Sequence, residues 1–205
     1  MDVTVAITLF RHGVTEANKR RAYLGWTDSP LCAVAKKEIR ELPISCEQLY
    51  SSDLGRCLET AKIMFPEHIP TIMPELREMN FGQWEGKIYE ELKHNIEYQR
   101  WLDEPFKAKP PDGETFLEFS IRVLHGWELL VKRMLETNVE RATVMTHGGV
   151  IRFLLTKFAP EEKDFWEWTS SHGKGYELVW SRDGLRRGER CILLREVPLM
   201  ANPNG

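Results

Sequence analysis

The chain has 205 residues, 42% of them hydrophobic and 29% charged, and its 28 basic against 31 acidic side chains leave a formal charge of -3. Seven Trp and nine Phe supply ample surface to bury, which excludes a disordered chain, and the near-balanced charge excludes a broad attraction to nucleic acid or anionic membrane. No run approaches the roughly 20 apolar residues of a membrane span and the N-terminus is not patterned as a signal peptide, so the expected location is cytoplasmic.

Val3 to Phe10 is a short apolar run rich in β-branched residues that stops at Arg11-His12-Gly13, which predicts a buried strand ending in a loop. The loop continues through Gly25-Trp26-Thr27-Asp28-Ser29-Pro30, and a helix is expected over Cys32 to Leu42 with Val34, Ile39 and Leu42 inward. Gln48 to Ser51 reads as a strand, Ser52-Asp53 as an N-cap, and Leu54, Leu58, Ala61 and Met64/Phe65 as one face of a helix that Pro66 ends. Thr71 to Met73 is a brief strand and Glu75 to Gly86 a loop. Tyr89 to Leu102 reads as one helix with Leu92, Ile96 and Trp101 on a face, followed by a Pro-rich loop to Gly113. Thr115 to Glu136 carries the strongest helical pattern: Phe116, Phe119, Val123, Trp127, Leu130, Met134. Ala142 to Met145 is a buried strand ending at Thr146-His147-Gly148-Gly149, and Val150 to Lys157 a helix. Tyr176 to Trp180 and Cys191 to Arg195 form a terminal strand pair with Asp183-Gly184 in the connection.

Strands alternating with helices argue an α/β fold, a three-layer α-β-α sandwich around a mostly parallel, mixed sheet. Residues 1-205 are expected to form a single domain, with residues about 86-113 as a small helical, lid-like insertion. Cys32, Cys46, Cys57 and Cys191 have neither metal-ligand spacing nor a disulfide framework and read as reduced thiols. Cys57, beside Arg56, is either an inert buried thiol or one activated by that cation. His94 and His125 read as surface or boundary residues, Trp166 and Trp168 as core or interface. His172, just before the last strand pair, is either incidental or lines the mouth of a site.

Two strands end in a His-Gly step, at His12-Gly13 and His147-Gly148. In α/β sheets ligands sit outside the carboxyl ends of strands, so two buried strands delivering histidines there, one beside Arg11, mark a site. Gly148-Gly149 also opens a helix, whose free amides favour an anion. Around these steps Leu9 to Asn18 resembles the Leu-x-Arg-His-Gly-x-Thr-x-x-Asn signature of the histidine phosphatase superfamily, the phosphoglycerate mutase-like proteins. Gly25 to Leu31, Ser51 to Ala61, Leu76 to Gly86 and Val144 to Arg152 are similar to its further segments, in the same order. Cys32-Ala33-Val34 departs from the family by lacking the glycine that opens the next helix.

The resemblance implies a nucleophilic His12 that becomes phosphorylated, with Arg11, Arg56 and His147 around the phosphoryl group. It implies Asn18, Gly25 and Gly148 on the substrate, Glu78 as proton donor with Glu85 the competing carboxylate, and neither metal nor cofactor. The roles suit phosphoryl transfer, in which positioned cations and donors stabilise charge on equatorial oxygens, and in which nearby guanidinium groups keep an imidazole neutral. The expected partner is a small phosphorylated metabolite, with no nucleic acid and no membrane, for a monomer or homodimer. A phosphomonoesterase is the favoured reading, with likeness to the α-ribazole-5'-phosphate phosphatases of cobalamin synthesis. The alternatives are a mutase-type phosphoryl-transfer isomerase and a non-catalytic phosphate-binding module. The stretch from Gly86 to Gly113 is short for a mutase, and its Lys87, Lys93, Arg100, Lys107 and Lys109 include no adjacent Arg pair.

Overall fold

In the computed structural model, which describes residues 3–39 and 46–197, the strands are β1 (Thr4–Arg11), β2 (Gln48–Ser51), β3 (Thr71–Ile72), β4 (Arg141–Thr146), β5 (Gly175–Ser181) and β6 (Leu193–Val197). The helices are α1 (Glu16–Lys19), α2 (Ala33–Glu38), α3 (Gly55–Met64), α4 (Tyr89–Leu92), α5 (Ile96–Asp103), α6 (Phe116–Thr137), α7 (Gly148–Phe158) and α8 (Arg182–Arg186). One six-stranded sheet runs in the order β3-β2-β4-β1-β5-β6. The first four strands in that order are parallel, and β5 and β6 add on antiparallel beyond β1.

Successive strand residues face opposite sides of a sheet, and here each side carries its own core. Val5, Ile7 and Leu9 of β1, Tyr50 of β2 and Val144 of β4 pack with Phe119, Val123, Trp127, Leu130 and Met134 of α6, Ile151 and Leu154 of α7 and Leu185 of α8. The intervening Phe10, Leu49 and Met145 pack with Ala35 of α2 and Cys57, Ala61 and Met64 of α3. The result is an α/β fold with helices flanking a mixed sheet on both sides. Helix α6 is long because its apolar stripe recurs every three or four residues, Thr115 and Glu118 form a reciprocal capping box, and Asn138 ends it in the left-handed conformation (φ 56°). Among the described residues no helix is long and apolar enough to cross a membrane.

Several local expectations need correction. The helix expected to reach Leu42 stops at Glu38; Leu42 lies outside the described residues, and Val34 is exposed while Ala35 and Ile39 turn inward. Ser52-Asp53 is not the N-cap of α3: Leu54 is, without a side-chain cap, and Ser52 Oγ only receives the Leu54 amide at 3.4 Å. The expected helix over Tyr89 to Leu102 is two, because Asn95 caps a new helix by accepting from the Tyr98 amide, and that restart leaves Ile96 76% exposed. Asp183-Gly184 does lie in the connection between the last two strands, within α8, which Ser181 caps. Trp168 is core, whereas Trp166 is 55% exposed. Gly82 (φ 52°) abuts residues 111–113, where a Cβ would stand 2.0 Å from the Pro111 carbonyl, and this fastens the 86–113 stretch back onto the loop that follows β3.

Leu130, 1% exposed in the larger core, sets the scale of the packing. Leu130→Ala is expected to lower stability by about 2–5 kcal/mol in urea denaturation, and Ile121→Ala, on the exposed face of the same helix, to stay within about 0.5 kcal/mol.

Candidate active site

The strand register brings the two His-Gly steps together. Arg11 pairs with Thr146 across β1 and β4, so the next residue of each strand is a histidine, and the His12 amide continues the ladder to the Thr146 carbonyl at 3.0 Å. The two imidazoles lie with centroids 5.2 Å apart. Ser51 pairs with Met145 across β2 and β4, which brings Ser52 beside His147 (Oγ to Nε2, 3.0 Å) and starts α3 at the same edge. β5 runs the other way, so the segment that precedes it arrives here too. Gly175 stands opposite Phe10, and the Gly173 amide donates to the Arg11 and His12 carbonyls at 3.0 and 3.2 Å.

His12 is buried, and its Nδ1 lies 2.7 Å from the Gly13 carbonyl. A carbonyl can only accept, so Nδ1 carries the proton and Nε2 keeps its lone pair. Burial, then the Arg56 and Arg11 charges, hold this imidazole well below its usual range. His147 is lowered by burial, then by Arg56, His12 and Arg11.

The two guanidinium groups reach the histidines by different routes. Arg56, in the first turn of α3, is wholly buried and donates to the carbonyls of Gly25 (2.6 Å) and Thr27 (3.1 Å), with Asp28 at 3.4 Å. Arg11 donates to the Ser170 carbonyl at 2.5 Å. Burial outweighs the nearby Glu78 and, with Arg152 and Arg56, lowers it to about 10, so it remains a cation at neutral pH. The Nε atoms of both arginines are buried without a partner.

Glu78 comes from the loop after β3. Its carboxylate accepts from the Gly149 amide at 2.9 Å and from its neighbour Met79 at 3.0 Å. A Cβ on Gly149 would stand 2.3 Å from Glu78 Oε1, so only glycine leaves the carboxylate this seat. The sequence assigns the first amides of α7 to an anionic ligand; the Gly149 amide holds Glu78 instead. Arg122 and the Trp26 indole both donate to the Glu78 carbonyl, at 3.1 and 3.0 Å, and Arg122 also holds the carbonyls of Glu75 and Arg77 and the Glu114 carboxylate.

The remaining expected residues have supporting positions. Glu85 accepts from the amides of Trp26, Thr27 and Phe81, which commits it to tying two loops together. Asn18 Oδ1 completes a capping box with Thr15 at the start of α1. Gly25 supplies a carbonyl to Arg56, and a Cβ there would lie 2.3 Å from the Met79 carbonyl. Gly148 makes room for Arg11, whose Cζ a Cβ would approach to 3.1 Å. Cys57 is fully buried, 3.4 Å from His147 Nε2, and burial pushes its thiol up, which removes the activated-thiol reading. Among the described residues no group of three or more His, Cys, Asp or Glu is arranged to hold a metal ion. Sequence patterning does not single out Ser52, Arg122 or Arg152 as site residues, and it leaves His172 open. Arg122 leaves no such signal, because it lies beside the apolar stripe of α6 and not within it.

Beside Glu78 opens a cavity of about 120 Å³ lined by Phe81, Trp101, Phe106, Phe116 and Trp166, with Arg152 at its edge. Arg152 stacks over Trp166, its Cζ 5.6 Å from the ring centroid.

The sequence profile of the histidine phosphatase superfamily, branch 1, matches residues 7–187. An adenosylcobalamin/alpha-ribazole phosphatase of Escherichia coli (strain K12) is 31% identical over 159 residues, covering 73% of this chain and 76% of that protein. The crystal structure of the alpha-ribazole phosphatase from Shigella flexneri superposes with a TM-score of 0.74 at 26% identity, over 84% of this chain and 89% of that one. A phosphoglycerate mutase structure from Thermus thermophilus superposes with a TM-score of 0.68 at 29% identity, over 94% of this chain and 99% of that one.

Burying His12 and His147 as neutral rings makes folding sensitive to acid. The unfolded chain binds a proton at each ring near pH 6.5 and the folded one does not, so stability is complete above that pH and falls below it. Each ring is expected to contribute a slope of about 1.4 kcal/mol per pH unit, read from urea midpoints between pH 7 and 5. NMR shifts of both rings are expected to stay flat through that window; midpoints near 6.5 would contradict the buried neutral pair.

Proposed function

We propose that this chain, which belongs to branch 1 of the histidine phosphatase superfamily, hydrolyses a small phosphorylated metabolite through a phosphohistidine on His12. The observation that carries the reading is the convergence, at one sheet edge, of an imidazole with a free Nε2 lone pair, guanidinium groups with unused N–H donors, and a carboxylate. In the first half-reaction His12 Nε2 attacks phosphorus as the P–O bond to the leaving group breaks. Arg11, Arg56 and His147 stabilise the equatorial oxygens, and Glu78 delivers a proton to the departing alkoxide. In the second, the Glu78 carboxylate takes a proton from water as the water oxygen attacks phosphorus. The P–N electrons return to His12, phosphate leaves, and Glu78 regains its proton. The positive charge comes from guanidinium groups, so the proposed reaction uses no metal.

The aromatic cavity next to Glu78 supports a leaving group with a planar apolar ring. Together with the names of the related phosphatases, it makes α-ribazole 5'-phosphate the substrate we infer. A mutase must hold a second anionic group, and three of the five cations of the 86–113 stretch are otherwise engaged: Lys93 pairs with Glu90, Lys107 with Glu104 and Lys109 with Glu118. We also read that stretch as a lid-like part of the same domain, because Trp101 and its neighbours form one wall of the cavity.

His12→Ala is expected to abolish release of nitrophenol from p-nitrophenyl phosphate; retained turnover would remove His12 as nucleophile. Glu78→Gln is expected to slow alkyl phosphates far more than nitrophenyl phosphate, whose leaving group needs little help from an acid, and equal losses would make Glu78 a binding group. A phosphate-release screen is expected to rank α-ribazole 5'-phosphate above 3-phosphoglycerate, with EDTA leaving the rate unchanged. Rapid isomerisation of 3-phosphoglycerate with a trace of 2,3-bisphosphoglycerate would reverse the choice of hydrolase.

A further inference from the structure

His172 is the one imidazole at this sheet edge that the proposed mechanism leaves without a task. Its ring meets His12 edge-on, with centroids 5.5 Å apart. The turn that carries it is fixed at both ends. Gly173 donates to the Arg11 and His12 carbonyls, Arg11 donates its amide to the Lys174 carbonyl at 3.0 Å, and the Lys174 amide closes the turn on the Ser171 carbonyl at 3.2 Å. Gly173 has φ of 66°, a left-handed conformation that favours glycine and aims the preceding side chain at the site. On the same segment the Ser170 carbonyl anchors the Arg11 guanidinium. Thus the backbone that positions the nucleophile and its neighbouring cation also positions His172.

The polar atoms here are incompletely satisfied. His172 Nε2, Ser170 Oγ and Arg11 Nε are all buried without a hydrogen-bond partner. A buried donor left unsatisfied carries a desolvation penalty, and two of these atoms belong to residues that adjoin His12, His172 by its ring and Arg11 by sequence, so an acceptor from outside the chain would satisfy them. Burial and the Arg11 charge lower His172 to about 3, so at working pH it is a neutral ring with one N–H to give.

Resting on the reading of His12 as the phosphorylated residue, we propose that His172 is a further catalytic residue, whose Nε2–H donates to a non-bridging phosphoryl oxygen in the transition state. No proton is transferred to or from it: the N–H bond stays intact and the contact strengthens as charge builds on the oxygen. A neutral donor complements the two guanidinium groups, because it adds stabilisation without repelling them and without favouring protonation of His12. A ring that merely packs against His12 would do none of this.

His172→Phe keeps the ring and its edge contact but removes the donor; His172→Gln keeps a donor and removes the ring. Both are compared with the unaltered enzyme for kcat/KM on p-nitrophenyl phosphate and for inhibition by vanadate and by phosphate. Loss of one such donor is expected to lower kcat/KM on the order of 10²-fold in the Phe variant. It is expected to weaken vanadate, which mimics the five-coordinate transition state, at least tenfold more than phosphate, while the Gln variant recovers part of both. Phe-variant values within twofold of the unaltered enzyme, or equal weakening of the two inhibitors, overturn the proposal. If the Phe variant does not fold, the Gln variant decides it: selective retention of vanadate over phosphate binding supports a donor, and parallel loss refutes one. Absence of turnover in the unaltered enzyme is a separate outcome, which overturns the phosphatase reading itself.

Discussion

The parallel pairing of β1 with β4 is the constraint on which the site depends. With Arg11 opposite Thr146, one register decides where both histidines stand. A slip of one residue would turn every strand side chain to the opposite face and would move Phe10 and Leu9 out of their separate cores. The apolar alternation that buries the sheet therefore also aligns the chemistry. β2 is tied to the same register through Ser51 and Met145, and β5 through Gly175 and Phe10, so segments from opposite ends of the chain arrive at one edge.

Electrostatics at that edge follow from how each charge is held. Removing a guanidinium from water costs several kcal/mol unless its donors are used. Arg56 meets the cost mainly with backbone carbonyls and Arg11 with the Ser170 carbonyl. Carbonyls orient a cation without neutralising it, which leaves positive potential for an incoming anion. The imidazoles respond oppositely: under the same burial and the same field they shed the proton. One environment thus yields cations and a free lone pair side by side, the combination the proposed phosphohistidine requires.

Much of this is legible from sequence because it is written in local patterns. The β-branched runs before His12 and His147, the apolar period of α6, and the Gly-rich steps after the strands each identify themselves. The break between α4 and α5 is less plain: nine residues separate Leu92 from Trp101, which would set them on opposite faces of one helix, and the capping geometry of Asn95 separates the two helices. Ser52 suits a cap by residue type and position; its hydroxyl instead meets a histidine distant in the chain. The resemblance assigns Asn18 and Gly25 to substrate; the Asn18 contact with Thr15 is a local capping box of three-residue spacing, whereas the Gly25 contact with Arg56 is a tertiary one that spacing does not encode. His172 is indistinguishable from an incidental surface residue until the antiparallel direction of β5 is known.

The acidic residues around the loop after β3 show how a rigid frame can carry a carboxylate held by few contacts. Glu85 is consumed by three backbone amides, and Glu114 by Arg122 and the Asn80 amide. Arg77 is held by Asp53, and its cation lies over Trp26, with Cζ 4.7 Å from the ring centroid. These contacts fix the main chain at Glu78, whose carbonyl takes two further donors. Its carboxylate, by contrast, rests on one helix-end amide and one neighbouring amide, contacts that water can replace at little cost. Backbone rigidity ends at the Cα of Glu78, and in the proposed reaction rotation about its side-chain bonds would carry a proton between the leaving group and water without disturbing the loop.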